Sequence, residues 1–191
     1  MGTTLVVPGL DGGGADHWLS WFESVLPDTR RVTQEDPQAL DLSEWSAAVR
    51  AELMQSPTAV TIVAHGFGCL ACVVGAADCP EKVEGAMLVA PFDPDALQLS
   101  WLMPEEPLAF PAVIVASRND PYMRLNKAAF WANYWSCDFI DFGRAGSIDP
   151  AAGFGTWPAG LEILDGLRHG PRADAAVYLR SRRFNHLSRA I

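Results

Sequence analysis

The stretch AVTIVAHGFGCLACV, residues 59–73, decides the fold. Its first six residues form a continuous apolar run of strand length, which is typical of a central parallel strand buried on both faces. A short turn that contains Gly66 and Gly68 follows at once. The next apolar run, residues 69–77, predicts a helix. The stretch therefore predicts a buried strand joined to a buried helix by a tight turn.

The same alternation of short β-rich runs and amphipathic segments continues on both sides of this unit. It predicts an α/β fold, a three-layer sandwich in which a mostly parallel central sheet carries helices on both faces. The predicted strands are residues 3–8, 30–34, 59–64, 85–91, 112–117 and 138–142, and the predicted helices are residues 15–26, 42–54, 69–77, 122–135 and 158–167.

Length, hydropathy and charge narrow the class of protein. The 191 residues suit one globular domain. No apolar run approaches the roughly 18 residues of a membrane span, and the first residues lack the pattern of a signal peptide. We therefore expect a cytoplasmic protein with no membrane partner. The net charge of −9 argues against a nucleic-acid partner, because phosphate repels an acidic surface.

The charge is unevenly distributed along the chain. Residues 167–191 hold six arginines and one acid, a net charge of +5, so the preceding 166 residues carry −14. We therefore divide the chain into a folded domain, residues 1–167, and a basic Arg-rich tail, residues 168–191. The tail either contacts a partner or folds back on the acidic domain. Within the domain, residues 92–110 are rich in proline, acids and large apolar side chains, which predicts a lid-like insertion.

The four cysteines indicate a metal or redox site only weakly. Cys69 and Cys72 form a C-x-x-C in the predicted helix, but no second ligand pair at zinc spacing accompanies them. A thioredoxin-like redox motif is the alternative interpretation. We favour small buried thiols that pack the helix against the sheet. The sequence therefore predicts no metal and no cofactor.

The turn after residue 64 has the pattern of a nucleophile elbow, in which a strand ends in G-x-S-x-G and the serine is the catalytic nucleophile. Gly66 occupies the place of this serine. In such chains an acid and a histidine follow, each on a loop after a later strand. The loop SRNDP, residues 117–121, offers Asp120, and the loop GRAGSIDP, residues 143–150, offers Ser147.

Five stretches together resemble a known family. They are VVPGLDGGGADHW (6–18), VAHGFGCLA (63–71), VAPFD (89–93), VASRNDPY (115–122) and GRAGSIDPAAGFGTWPAG (143–160). Over about residues 3–167 the chain resembles the small single-domain serine hydrolases of α/β-hydrolase fold that include the retinoblastoma-binding serine hydrolase. That family reads A-H-S-x-G-C at the elbow, S-x-N-D-P at the acid loop and A-G-H-I-N at the histidine loop, and its activity is hydrolysis of esters and amides.

The resemblance implies a degenerate catalytic triad. Asp120 matches the family's acid, Gly66 stands at the nucleophile position, and Ser147 stands at the histidine position. Loss of the nucleophile or of the base typically lowers kcat about 10⁶-fold, and the two losses do not add. The resemblance also places an oxyanion hole at the backbone N–H groups of Leu10 and Phe67, which favour an anion or a polarised carbonyl.

Other side chains near these positions were weighed as substitutes for the triad. His65 is expected to point into the core, Cys69 lies a turn beyond the position of attack, and Asp93 as an acid alone activates no nucleophile. His17 either caps the first helix or contacts a ligand. Trp101 lies in the predicted lid and is expected either to line a pocket or to pack in the core. The other six tryptophans are expected to pack inside the protein: Trp18, Trp21, Trp45, Trp131, Trp135 and Trp157.

Two hypotheses of function follow from these observations. The first is a pseudohydrolase that binds a small acyl-like or carboxylate-like ligand, or a protein partner, without turnover. The second is an enzyme of hydrolase fold that uses the oxyanion hole for weak ester or amide hydrolysis, or for serine-independent chemistry such as cyclisation or elimination. The shape of the pocket discriminates between them, since a pocket filled by Phe67, Phe92 or Trp101 favours partner binding.

Overall fold

A computed structural model describes residues 2–10 and 12–169 of the chain. Six strands form one sheet in the order β2-β1-β3-β4-β5-β6, and every neighbouring pair is parallel. The strands are β1 (Thr4–Val7), β2 (Thr29–Arg31), β3 (Val60–His65), β4 (Val83–Val89), β5 (Ala112–Ala116) and β6 (Asp138–Asp141). The helices are α1 (Trp18–Val25), α2 (Leu42–Gln55), α3 (Phe67–Ala77), α4 (Leu125–Tyr134) and α5 (Pro158–His169).

The sheet separates two apolar cores, as the alternation of side chains along a strand requires. On one face, β3 residues Ile62 and Ala64 pack with residues of α2, α3 and α4. On the other face, Val63 packs with residues of α1 and α5. The predicted three-layer α/β sandwich is thereby confirmed, and every residue of β3 is buried, as its apolar run predicts.

Several predicted boundaries differ from the structure. The sheet is wholly parallel within the described residues, where we had expected a mostly parallel one. The elbow helix begins at Phe67, two residues earlier than predicted, because it starts directly at the turn. Helix α5 continues to His169, so the division after residue 167 falls inside a helix. Residues 170–191 of the predicted basic tail lie outside the described residues.

The segment 92–110 is irregular apart from one short 3₁₀ turn, Ser100–Leu102. It connects β4 to β5, and its role as a lid stays a prediction. Trp101 within it is 79% exposed and therefore lies outside the core. Of the six tryptophans predicted to pack inside, Trp21 is only partly buried, while the rest are almost completely enclosed: Trp18, Trp45, Trp131, Trp135 and Trp157.

An arginine joins the end of the described chain to the middle of the sheet. The guanidinium of Arg168, on the last turn of α5, donates to Thr4 Oγ1 at 2.6 Å and to Thr61 Oγ1 at 3.2 Å. Both threonines lie at the amino ends of central strands. Two cavities of about 270 and 230 Å³ lie beside this arginine, and both are bordered by Glu84. They are at the edge of the sheet opposite the elbow.

None of the helices that the structure describes combines the length and apolar character needed to cross a membrane. The described residues also contain no group of three or more side chains suited to hold a metal ion.

Candidate active site

The turn between β3 and α3 has the backbone of a nucleophile elbow. Gly66 joins the two elements with φ 55° and ψ −124°, a conformation that L side chains adopt only under strain. Its N–H donates to Val89 O at 3.0 Å, and its carbonyl accepts from Cys69 N at 3.1 Å. The turn is therefore fixed on both sides, by β4 and by the first turn of α3.

The second glycine of the turn is required by a close approach of two backbones. A β-carbon added to Gly68 would lie 2.3 Å from Pro8 O and 2.8 Å from Val7 O. Neither carbonyl belongs to a movable side chain, so only glycine fits. This contact brings α3 directly against the loop that follows β1, where Leu10 lies.

An aromatic ring covers the nucleophile position. A β-carbon added to Gly66 would lie 3.3 Å from Cε1 of Phe92, the third residue after the end of β4. The ring of Phe92 stacks in turn on Tyr122, with centroids 4.3 Å apart. The sequence suggested Phe92 only as one of three side chains that might fill a pocket. Nothing in the local sequence pattern predicts that this ring lies over residue 66.

Asp120 lies on the loop after β5, at the carboxyl ends of the strands. Its Oδ1 accepts from Tyr122 N at 2.9 Å, whereas Oδ2 is buried and has no hydrogen-bond partner among the described residues. Burial, with a smaller effect from the charge of Asp149, raises the pKa of this carboxyl to about 6. The acid predicted from the sequence is therefore present and holds its proton more strongly than an ordinary carboxyl.

Ser147 lies on the loop after β6, and its hydroxyl is committed to a neighbour. Its Oγ donates to Asp149 Oδ2, and Asp149 also caps the short 3₁₀ turn that follows by accepting from Ala152 N at 2.9 Å. A serine hydroxyl is a poor base at neutral pH, and here its proton already has an acceptor. Ser147, which the resemblance places at the histidine position, therefore lacks the chemistry of a general base.

Backbone and side-chain hydrogen bonds hold the acid loop and the histidine loop together. Ala145 N donates to Ser117 Oγ at 2.9 Å, and Gly146 N donates to Asn119 Oδ1 at 3.1 Å. The elbow is joined to the same loop, because His65 Nε2 lies 2.8 Å from the carbonyl oxygen of Ser147 and donates to it. The three loops predicted from the sequence thus meet at one edge of the sheet.

Two histidines are buried beneath this edge of the sheet and do not face the candidate site. His17 is the N-cap of α1, with Nδ1 accepting from Leu19 N at 3.1 Å, and its side chain is completely buried. Its ring lies 4.8 Å from that of His65, edge to face. The structure favours the capping interpretation of His17 over ligand contact, since a fully enclosed ring offers no surface to a ligand. His65 points into the core, as expected.

Phe67 and Leu10, whose backbone N–H groups are the predicted oxyanion hole, lie in the first turn of α3 and on the loop after β1. Phe67 is the first residue of α3, so its N–H belongs to the group that lacks acceptors within the helix. Leu10 is half-buried on the facing loop, and its carbonyl accepts from Gln38 Nε2 at 3.0 Å. The end of α3 that carries a partial positive charge points to the same place. This arrangement favours negative charge on a bound atom.

The C-x-x-C thiols and Asp93 have structural roles. Burial raises the pKa values of the thiols of Cys69 and Cys72, which makes them poor nucleophiles and agrees with packing. Asp93 Oδ1 accepts from Asp95 N at 3.0 Å within a turn. Trp101 lines neither of the two cavities at the opposite edge and is exposed.

Comparisons with known proteins agree with this architecture. A family model described as serine hydrolase matches residues 4–166. The structure of a presumed YdeN-like hydrolase from Pectobacterium atrosepticum is 36% identical, with a TM-score of 0.82, and the match covers 87% of this chain and 90% of that one. The structure of the ydeN gene product of Bacillus subtilis is 15% identical, with a TM-score of 0.71, and the match covers 87% of this chain and 98% of that one. At this identity the similarity shows the fold alone. No curated protein gives a significant match.

Proposed function

The chain belongs to the serine hydrolase family, and we propose that it is a member with a degenerate triad that acts by binding rather than by hydrolysis. The observation that carries this proposal is Gly66, which occupies an elbow of the strained geometry that a catalytic nucleophile needs. An elbow without a side chain has no attacking oxygen. The resemblance to the small hydrolases that include the retinoblastoma-binding member belongs to the same proposal.

The second triad position supports the same conclusion. If Gly66 alone had changed, the base and acid would remain poised for a water molecule. Instead the side chain at position 147 is a serine whose hydroxyl is bonded to Asp149. Only Asp120 keeps its family role, and an acid without its histidine orients nothing.

The covering of the elbow favours a protein partner over a small ligand. The Phe92 ring takes up part of the space where a substrate would approach residue 66. The two cavities described above lie at the other edge of the sheet, and neither contains Gly66, Asp120 or Ser147. We therefore propose that a protein surface, rather than an acyl or carboxylate ligand in the elbow pocket, is the partner.

The alternative is an enzyme that uses Asp120 as a general base beside the oxyanion hole. One observation favours it, since a buried carboxyl oxygen without a partner and a pKa of about 6 suit proton abstraction near neutral pH. Such an enzyme would need Phe92 to swing away. The test below separates the two proposals.

The test compares hydrolysis of short-chain aryl esters, and labelling by a fluorophosphonate, across four proteins. They are the wild type, Gly66→Ser, Gly66→Ser/Ser147→His, and the double variant with Phe92→Ala. We expect no turnover and no label on the wild type, and labelling of the serine only where both triad residues are restored, with an increase when Phe92 is removed. Ser147→His alone is the matched control, because it has the base without a nucleophile.

Wild-type turnover above a no-protein control that disappears in Asp120→Asn would overturn the proposal and establish the alternative. Restored activity in the double variant would support it, because it would show that the site lacks two side chains and nothing else. An inactive double variant that the Phe92 change activates would support the covering of the elbow as well.

A further inference from the structure

Four large aromatic side chains are exposed at the edge of the sheet that carries the elbow and along α4. The exposed fractions are 79% for Trp101, 51% for Tyr122, 52% for Phe130 and 40% for Tyr134. We refer to these four residues as the aromatic surface. Neighbouring exposed apolar side chains of this size are unusual on a monomer and mark interaction sites.

Contacts link the α4 rings to each other and link the residue before Trp101 to α4. The rings of Phe130 and Tyr134 stack one helical turn apart, with centroids at 6.1 Å. Lys127 Nζ lies 5.5 Å from the centroid of Phe130 and pairs with Asp95. The same Asp95 accepts from the hydroxyl of Ser100, the residue before Trp101. Trp101 is thus tied to the exposed face of α4.

The segment that carries Trp101 meets the carboxyl end of α4 seven residues later. Leu108 N donates to Trp135 O at 3.1 Å, just past the carboxyl end of α4. Between Trp101 and Leu108 lie Glu105 and Glu106, both exposed. These two carboxylates therefore lie near the Tyr134 end of the aromatic surface.

The charge around the aromatic surface is mostly negative. Glu105 and Glu106 are exposed shortly before Leu108, which bonds to Trp135, and Asp138 is exposed three residues after Trp135. The charge of Lys127 is compensated by its pair with Asp95, which leaves Arg124 at the start of α4 as the neighbouring cation. Exposed rings beside carboxylates suit a guanidinium, because its flat face stacks on aromatic rings while its N–H groups bind carboxylates in pairs.

We propose that the aromatic surface binds an arginine-rich segment of a protein partner. This rests on the proposed function, since it names the partner of a member that binds instead of hydrolysing. A second copy of the chain is a poorer occupant, because each copy has a net charge of −9 and the acids around the surface would face one another. An anionic membrane or a nucleic acid is disfavoured by the same repulsion.

The aromatic surface also reaches the elbow. Tyr122 is half exposed on one side and stacks on Phe92 on the other, and Phe92 covers Gly66. A partner that contacts Tyr122 therefore lies one ring away from the nucleophile position. The surface is continuous with the region where relatives bearing a serine would meet a substrate.

The experiment measures binding of labelled peptides to the full chain by fluorescence anisotropy. The probes alternate leucine and serine with arginine, with lysine or with glutamate, and a fourth has the sequence of residues 172–189, which contains five arginines. We expect the arginine peptide to bind most tightly, the lysine peptide less so and the glutamate peptide not at all, with affinity falling between about 20 and 150 mM salt.

Two variants identify the surface. Trp101→Ala/Phe130→Ala should weaken binding of the arginine peptide about tenfold or more, since exposed rings of this kind are typical hot spots. Glu105→Gln/Glu106→Gln should weaken it about threefold and flatten the salt dependence. Met54→Ala is the matched control, because Met54 is 58% exposed on α2, away from this surface.

The proposal is overturned if the arginine peptide fails to bind, or if binding is unchanged in Trp101→Ala/Phe130→Ala. It is also overturned if sedimentation shows a dimer that Phe130→Ala dissociates, which would make a second copy the occupant. Preferential binding of the 172–189 peptide over the arginine peptide would make this chain's own segment the occupant and would overturn the proposal of a separate partner. Ester hydrolysis by the wild type would contradict the proposed function without touching the peptide result, so the two failures are distinguishable.

Discussion

Replacing Gly66 by serine, the nucleophile of the G-x-S-x-G elbow motif, should destabilise the protein. The backbone there has φ 55° and ψ −124°, which glycine adopts freely and which is strained for other residues by about 1–3 kcal/mol. Serine also restricts the unfolded chain, which offsets about 0.4–1 kcal/mol of that strain. The new β-carbon would lie 3.3 Å from Phe92 Cε1, so the ring must shift by a few tenths of an ångström.

The net effect is a loss of about 1–2 kcal/mol in the free energy of unfolding, which for a chain of this length lowers Tm by roughly 2–8 °C. Denaturant unfolding measures it as a lower midpoint at unchanged slope. Gly66→Ala should behave alike, because the β-carbon and not the hydroxyl causes the loss. Gly153→Ser is the control for a positive φ in open space, since Gly153 has φ 91° and no atom within 4 Å of an added β-carbon.

A double-mutant cycle with Phe92→Ala separates backbone strain from crowding. If crowding contributes, serine should be less damaging in the Phe92→Ala background, whereas pure backbone strain leaves the difference unchanged. A serine variant as stable as the wild type, or more stable, would refute the reasoning, because it would mean that the elbow was never strained for a side chain.

Two further changes test the site. Asp120 has a pKa of about 6 in the folded protein against an ordinary 3.8, so its contribution to stability is complete below about pH 4 and is lost as pH rises through 6. Asp120→Asn should therefore raise the free energy of unfolding by about 1–2 kcal/mol at pH 7.5, after discounting for partial exposure, and leave it unchanged near pH 4. Parallel pH profiles of unfolding for the two proteins would contradict this. Gly68→Ala should lower the free energy of unfolding by about 3 kcal/mol or more, because the new β-carbon would lie 2.3 Å from Pro8 O. A small change in thermal unfolding would contradict this and show that the loop after β1 moves easily.

The fold was predictable because its signals are local and redundant. Residues 59–64 are apolar except for Thr61, which is typical of a strand buried on both faces, and each later strand is separated from the next by enough residues for a crossover. The elbow was predictable for a related reason: Gly66 and Gly68 stand where only small residues let a strand turn into a helix.

The contacts inside the site were not predictable, because they join residues far apart in the chain. His65 and the carbonyl of Ser147 are 82 residues apart, and no periodicity connects them. Trp101 lies in an irregular segment, so no helical or strand pattern assigns its face, and hydrophobicity alone suggested a pocket wall or the core. The Phe92 ring is likewise placed by the end of β4 rather than by its own neighbours in sequence.

The hydrogen bond between Arg168 and Thr4 has a consequence for the order of assembly during synthesis. It joins two residues 164 positions apart, and β1 lies inside the sheet between β2 and β3. A ribosome adds about 5–20 residues each second, so roughly 8–30 seconds separate the appearance of the two partners. During that interval the Thr4 hydroxyl lacks this donor, and a nascent chain interrupted before residue 168 would never acquire it.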